Sequence, residues 1–163
     1  MTDERRFKLA LVKVIPQRVR ELTMSENLNT ISIIEKLQAY THPGGQAECD
    51  GLLDFARAPS QAQTAEEALM LIEDWMMVRK RMGDMDMPEV SPIEAERALL
   101  AITNRIVGRH ESVSHRLKQR IYNRIGDTPT STDMTALLAF MKSELSALEV
   151  NEAANKSLEE KPW

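Results

Sequence analysis

Cysteine is almost absent from this chain. Cys49 stands alone among 163 residues, so no internal disulfide can form and no cysteine-based zinc finger or cluster can be built. That usage fits a reducing compartment, and Cys49 itself reads as a small buried apolar residue. Long apolar runs are missing as well, and no stretch of consecutive apolar residues is long enough to cross a bilayer. The opening Met1-Thr2-Asp3-Glu4-Arg5-Arg6 carries charge, but the uninterrupted apolar segment of a secretory signal does not follow it. The expectation is a soluble, intracellular protein working in the cytoplasm without a membrane partner. Also lacking are a phosphate-binding glycine loop, a Gly-x-Ser-x-Gly elbow, an internal repeat and a low-complexity tract.

What is present is enough apolar material to build a core, at 42% of residues, arranged at three- and four-residue spacing between Pro and Gly breaks. That spacing predicts an all-α protein of seven to eight short helices, either as one compact body or as two small lobes. The first covers Asp3 to Val14, with Phe7, Leu11 and Val14 on one face, and Pro16 opens a second through Val19 and Leu22. A third runs from Thr30 to Tyr40 and turns Ile33, Ile34 and Leu37 inward. His42-Pro43-Gly44-Gly45 breaks the chain, because proline disfavours helix at the residue before it and glycine tolerates positive φ. The fourth helix points Cys49, Leu52, Leu53 and Ala56 inward and closes at Ala58-Pro59-Ser60.

Thr64 and Glu67 form a capping box for a fifth helix through Ala65, Ala68, Ile72, Trp75 and Met82, ending at Gly83. Ser91 and Glu94 form another, with Pro92 at the tolerated first position, for a helix through Ala95, Leu99, Ile102 and Ile106 that stops at Gly108. The next spans Ser112 to Ile125 through Val113, Leu117 and Ile121 and stops at Gly126. Thr128 to Thr132 supply a turn and caps for the last, whose seam of Met134, Leu137, Leu138, Met141, Leu145 and Leu148 suits either internal packing or a second subunit. Residues 1–58 and 60–150 are the expected lobes, meeting at Pro59, and residues 151–163 the expected solvated tail.

Catalytic chemistry has one apparent candidate, His110-Glu111-Ser112-Val113-Ser114-His115. The zinc-protease helix needs histidines four apart to share a face, whereas five residues at roughly 100° each leave them about 140° apart. Gly108 and Ser112 also set a helix boundary within the stretch, which favours a structural or surface role. Acidic neighbours such as Glu66/Glu67 and Glu73/Asp74 point in different directions on a helix and read as solvated faces. No catalytic, cofactor-binding or metal-binding residue is assigned, no small-molecule substrate is implied, and the chain reads as a binding or assembling protein.

Three features carry that reading. Arg105, Arg109, Arg116, Lys118, Arg120 and Arg124 face only Glu111 locally, a basic stretch within a chain of net charge −4. It suits RNA phosphates, or else it is a solvated helix surface paired with acids elsewhere, and Tyr122 is the one aromatic available there for stacking. Met76, Met77, Met82, Met85 and Met87 suit an adaptable contact surface or core filling. Trp75-Met76-Met77-Val78 covers more than one helix face, so its helix is buried on two sides or offers one to a partner. Trp75, Met76 and Met77, with Leu137, Met141 and Leu145, are the candidate assembly residues.

The order of these features resembles the capsid-like Gag region of Copia-type retrotransposons. The resemblance spans Phe7 to Leu148 and is carried by Val14-Ile15-Pro16-Gln17-Arg18-Val19-Arg20 and by His42-Pro43-Gly44-Gly45-Gln46-Ala47-Glu48 with Leu52-Leu53. The Trp75 to Met82 helix and Gly126-Asp127-Thr128-Pro129-Thr130 add to it. Gln63-x-x-x-Glu67 ahead of Trp75 and Arg79 is similar to the turn-helix of retroviral capsids but departs from its aromatic spacing. The resemblance implies a non-enzymatic structural protein that forms homo-oligomers and packages RNA, with no cofactor. The zinc knuckle that often follows such a capsid is not encoded here, so packaging would rest on the basic stretch or on a segment beyond Trp163. The competing reading is a helical adaptor that docks a partner protein's helix in a groove. A third is an RNA-binding regulator acting through Arg116, Lys118, Arg120 and Arg124.

Overall fold

The computed structural model describes residues 30–159 together with Gln17 and Arg20, both helical. Six α-helices account for the ordered backbone of the described residues: α1 Thr30–Thr41, α2 Gln46–Arg57, α3 Ala65–Asp84, α4 Pro92–Arg109, α5 Glu111–Tyr122 and α6 Ser131–Glu159. The all-α class is therefore as the periodicity predicts. The two helices expected before Thr30 lie outside the described residues, Gln17 and Arg20 excepted. The chain divides into two compact units between Gly51 and Leu52, within α2.

In the first unit, α1 buries Ile33 completely while Ile34, expected beside it, is 37% exposed. The break that follows is built as the sequence requires. Gly44 has φ of 78°, and its N–H donates to the Glu48 carboxylate at 2.5 Å. Gly45 has no room for a side chain, since a Cβ there would lie 2.4 Å from the Ala39 carbonyl oxygen. Cys49 is half-buried rather than buried, with its thiol 3.9 Å from the Gly44 carbonyl oxygen.

The second unit holds one apolar core, formed by Trp75 and Ile72 of α3, Leu99, Ile102 and Ile106 of α4, Val113 and Leu117 of α5, and Leu137, Met141 and Leu145 of α6. Its most extensive contact is α3 against α6, and α4 packs on α3, α5 and α6. The predicted capping box forms in full at Ser91, and at Thr64 only its hydroxyl half forms, because Glu67 reaches one residue further back than the N-cap. The Thr64 hydroxyl accepts from Glu67 N–H at 3.2 Å, and Glu67 reaches back to the Gln63 N–H at 2.7 Å. At Ser91 the box is reciprocal, its hydroxyl accepting from Glu94 N–H and its backbone N–H donating to Glu94. Thr130 and Asp133 make a second such exchange at the start of α6.

Helix ends depart from expectation for identifiable reasons. Gly83 does not stop α3; Asp86 does, at φ 52°, where Met87 N–H returns to the Met82 carbonyl in the manner of a Schellman cap. A short polar side chain tolerates the left-handed region well enough to replace glycine there. Gly108 does not stop α4 either, since the helix includes Arg109 and breaks at His110. Helix α5 ends at Tyr122 rather than Ile125, leaving Ile125 96% exposed beside a turn at Gly126 with φ 97°. Helix α6 continues as backbone past Val150 to Glu159, its last residues almost all exposed.

Trp75 ties the last turn of α2, which belongs to the second unit, to α3. The indole is fully buried and its N–H donates to the Ala56 carbonyl oxygen at 2.9 Å. Ala56 is the penultimate residue of α2, so that carbonyl has no partner within its own helix and the indole supplies one. The connecting segment after Arg57 is tied down twice more, by Ala62 N–H to the Ile102 carbonyl at 3.0 Å and by Arg109 to the Gln63 carbonyl at 3.0 Å. Replacing Trp75 with Ala removes both the ring and the cap and should lower unfolding free energy by about 3–5 kcal/mol. Trp75→Phe keeps most of the packing and should cost about 1–3 kcal/mol for the orphaned carbonyl. Urea titration with unchanged slope checks both, and an unshifted midpoint in Trp75→Ala would contradict this role.

The Ser91 box also makes α4 acid-sensitive. Hydrogen bonds from the Ser91 hydroxyl and backbone, with Arg57 and Arg97 nearby, hold Glu94 below the ordinary carboxylate range. A carboxylate with a lower pKa when folded contributes stability above its unfolded value and loses it as pH falls through the folded one. Glu94→Gln should therefore flatten the decline of thermal midpoint below about pH 4.5. A decline as steep as in the parent protein would show that Glu94 contributes nothing to it.

Candidate assembly and nucleic-acid surfaces

The six basic residues from Arg105 to Arg124 do not form one surface. Arg116 and Arg120 lie one turn apart on α5 and face α6, where Arg116 forms a bidentate pair with Glu144 at 3.0 and 2.5 Å. The Glu144 partnership raises the Arg116 pKa further above its ordinary value. Arg120 lies over the Phe140 ring, 5.2 Å from its centroid. Arg124 joins the segment after α5 to α4 through Glu96 at 2.5 Å and also donates to the Asp127 carbonyl. Arg109 is held by Gln63, as above. Lys118 is about 160° around α5 from Arg120, and with Arg105 on α4 it has no ion pair among the described residues.

Arg116, Arg120 and Arg124 line a cleft of about 520 Å³ between α5 and α6, whose walls include Gln119, Phe140, Glu96 and Asp133. Two acids share it with three arginines, and two of those arginines already hold carboxylates. Three of the six basic residues, Arg109, Arg116 and Arg124, thus act as struts between helices or between helix and loop. Pairing with acids elsewhere holds for Arg116 and Arg124, Arg109 is held by a carbonyl instead, and Arg105, Lys118 and Arg120 are left without carboxylate partners among the described residues.

The candidate assembly residues separate just as clearly. Trp75, Leu137, Met141 and Leu145 are at most 4% exposed and belong to the chain's own core, so they present nothing to a second subunit. The seam of α6 packs internally because α3 and α4 cover it. Met76 is partly buried against that core, Met82 is buried, and Met85 and Met87 are half-buried, so four of the five clustered methionines serve packing. Met77 alone of the cluster is exposed, at 69%, and Met70 is 63% exposed one heptad before it. Met70 was not among the sequence candidates. The signal for it was the seven-residue spacing from Met77 on the side of the helix opposite Ala68, Ile72 and Trp75.

His110 occupies the junction between α4 and α5 with an extended backbone, and His115 lies exposed within α5, so the two do not share a helix face. Among the described residues no three His, Cys, Asp or Glu side chains converge to hold a metal ion, and no helix is long and apolar enough to cross a membrane. Comparison of the chain with protein-family models, with curated proteins and with solved structures gives no match.

Two ion pairs of unequal burial should differ in energetic weight. The Arg124 and Glu96 side chains are 17% and 14% exposed, whereas those of Lys142 and Glu73 are 33% and 61% exposed. Double-mutant cycles by urea unfolding should give a coupling of about 1–2 kcal/mol for the first pair and less than about 0.5 kcal/mol for the second. Equal couplings would mean that the Arg124 strut does not hold α4.

Proposed function

We propose that this chain is a non-enzymatic, capsid-like structural protein of the retrotransposon Gag type, which associates with copies of itself in the cytoplasm and encloses RNA. The observation that carries the reading is that large apolar side chains stand exposed on separate helices of the second unit. Met70 and Met77 lie on α3, while Tyr122 and Ile125 lie at the end of α5 and just beyond it, 88% and 96% exposed. Two unrelated apolar surfaces let each copy make two different contacts, which a closed shell requires and a single-groove adaptor does not. The core is complete within the chain, so the contacts are additions to a folded subunit rather than conditions for folding.

RNA phosphates would be met at separate points by Arg105, Lys118 and Arg120, which share no single face and whose charges have no carboxylate partner among the described residues. Arg116 and Arg124 contribute structure instead. Light scattering and negative-stain imaging across protein and salt concentrations, with and without RNA, test the reading. Rings, tubes or shells that grow with concentration are expected, and a concentration-independent monomer or dimer would favour the adaptor. Joint replacement of Arg105, Lys118 and Arg120 by Gln should reduce the slope of log affinity for single-stranded RNA against log salt by about 2, at roughly 0.7 per phosphate contact. An unchanged slope would remove RNA from these residues.

A further inference from the structure

Arg79 of α3 carries a guanidinium that no carboxylate holds. It is half-buried and stacks on the Trp75 indole, 4.8 Å from the ring centroid, and its guanidinium makes neither an ion pair nor a hydrogen bond among the described residues. Stacking restricts the group while leaving its N–H donors unsatisfied. Two cavities of the second unit, of about 260 Å³ and about 220 Å³, meet there, and both are lined by Arg79, Glu89 and Val90. The larger has apolar walls of Val90, Pro92, Met134 and Leu138, with Ser131 and Thr135 of α6 completing it, and the smaller adds Lys80. Lys80 and Glu89 are exposed and, like Arg79, have no ion pair among the described residues. The lining therefore holds two bases and one acid, none of them neutralised within the chain.

We infer that these joined cavities bind a small amphipathic monocarboxylate, with its carboxylate on Arg79 and its hydrocarbon body against Val90, Met134 and Leu138. A carboxylate accepts two parallel N–H bonds from one guanidinium, and a guanidinium already held on an indole loses little freedom in making them. Two bases and one acid leave a single positive charge to be matched. A phosphate group carries between one and two negative charges at neutral pH, and the excess would lie beside Glu89. An ion without a hydrocarbon body would leave the apolar walls wet, whereas an apolar wall with one placed charge is the usual composition of a small-ligand site. The site lies wholly within the second unit and stands apart from the self-assembly reading.

NMR titration of the full chain with hexanoate, against hexanol, acetate and inorganic phosphate, tests it, with circular dichroism as the check on folding of each variant. Hexanoate should shift the backbone amides of Val90, Ser131 and Thr135, and the other three should bind about tenfold more weakly or not at all. Arg79→Gln should weaken hexanoate about tenfold, and Arg79→Lys, which keeps the charge but not the paired donors, should weaken it less. Glu89→Gln removes the competing acid from an exposed position without touching the Trp75 stack, and should strengthen binding about threefold. Hexanol binding as well as hexanoate, phosphate binding better than either, shifts confined to other residues, or an Arg79→Gln protein that binds as the parent does would each overturn the site. No shift at about 10 mM hexanoate, where even a millimolar site is mostly filled, would do the same.

Discussion

The indole of Trp75 fixes the second unit. Its N–H satisfies a carbonyl at the C-terminal end of α2 that no residue of that helix can reach, and its fully buried ring belongs to the core that α3, α4 and α6 share. Once that side of α3 is committed inward, the positions of Ala65, Ala68, Ile72 and Met82 follow from helical spacing alone. The same commitment turns Met70 and Met77 outward. The exposed face of α3 is thus a consequence of how its buried face is held, and any contact made there inherits a rigid support.

Arginines brace the other helices. Arg116 reaches Glu144, Arg124 reaches Glu96 and Arg109 reaches the Gln63 carbonyl, each spanning elements that are far apart in sequence. A guanidinium offers several donors in a fixed plane, so it can link two elements and remain partly hydrated. That use withdraws charge from any nucleic-acid surface, and it explains how a locally basic stretch can sit in an acidic chain without forming a basic patch.

Much of the fold could be read from local pattern. The capping pair Ser91/Glu94 acts within four residues, so the sequence displays it complete, as it does the Thr64 hydroxyl cap, and the inward stripes of α3, α4 and α6 follow from spacing. Helix ends were less legible. Asp86 rather than Gly83 takes the left-handed position, and Ile125 falls outside α5, because both outcomes depend on how the chain turns toward neighbouring helices. The site was harder still. A basic stretch looks the same in sequence whether or not Glu144 and Glu96 wait on other helices. Likewise an apolar seam on α6 does not disclose that α3 and α4 already cover it. Met70 was readable in principle, but only once Trp75 was known to face inward.

Hydrogen exchange at the Trp75 indole N–H, followed by NMR, reports most directly on the constraint that the second unit depends on. The indole is fully buried and donates to the Ala56 carbonyl oxygen, so the account predicts that this proton exchanges only when the unit unfolds, with a protection that tracks the global unfolding free energy. Exchange at the rate of a solvent-exposed indole would contradict it.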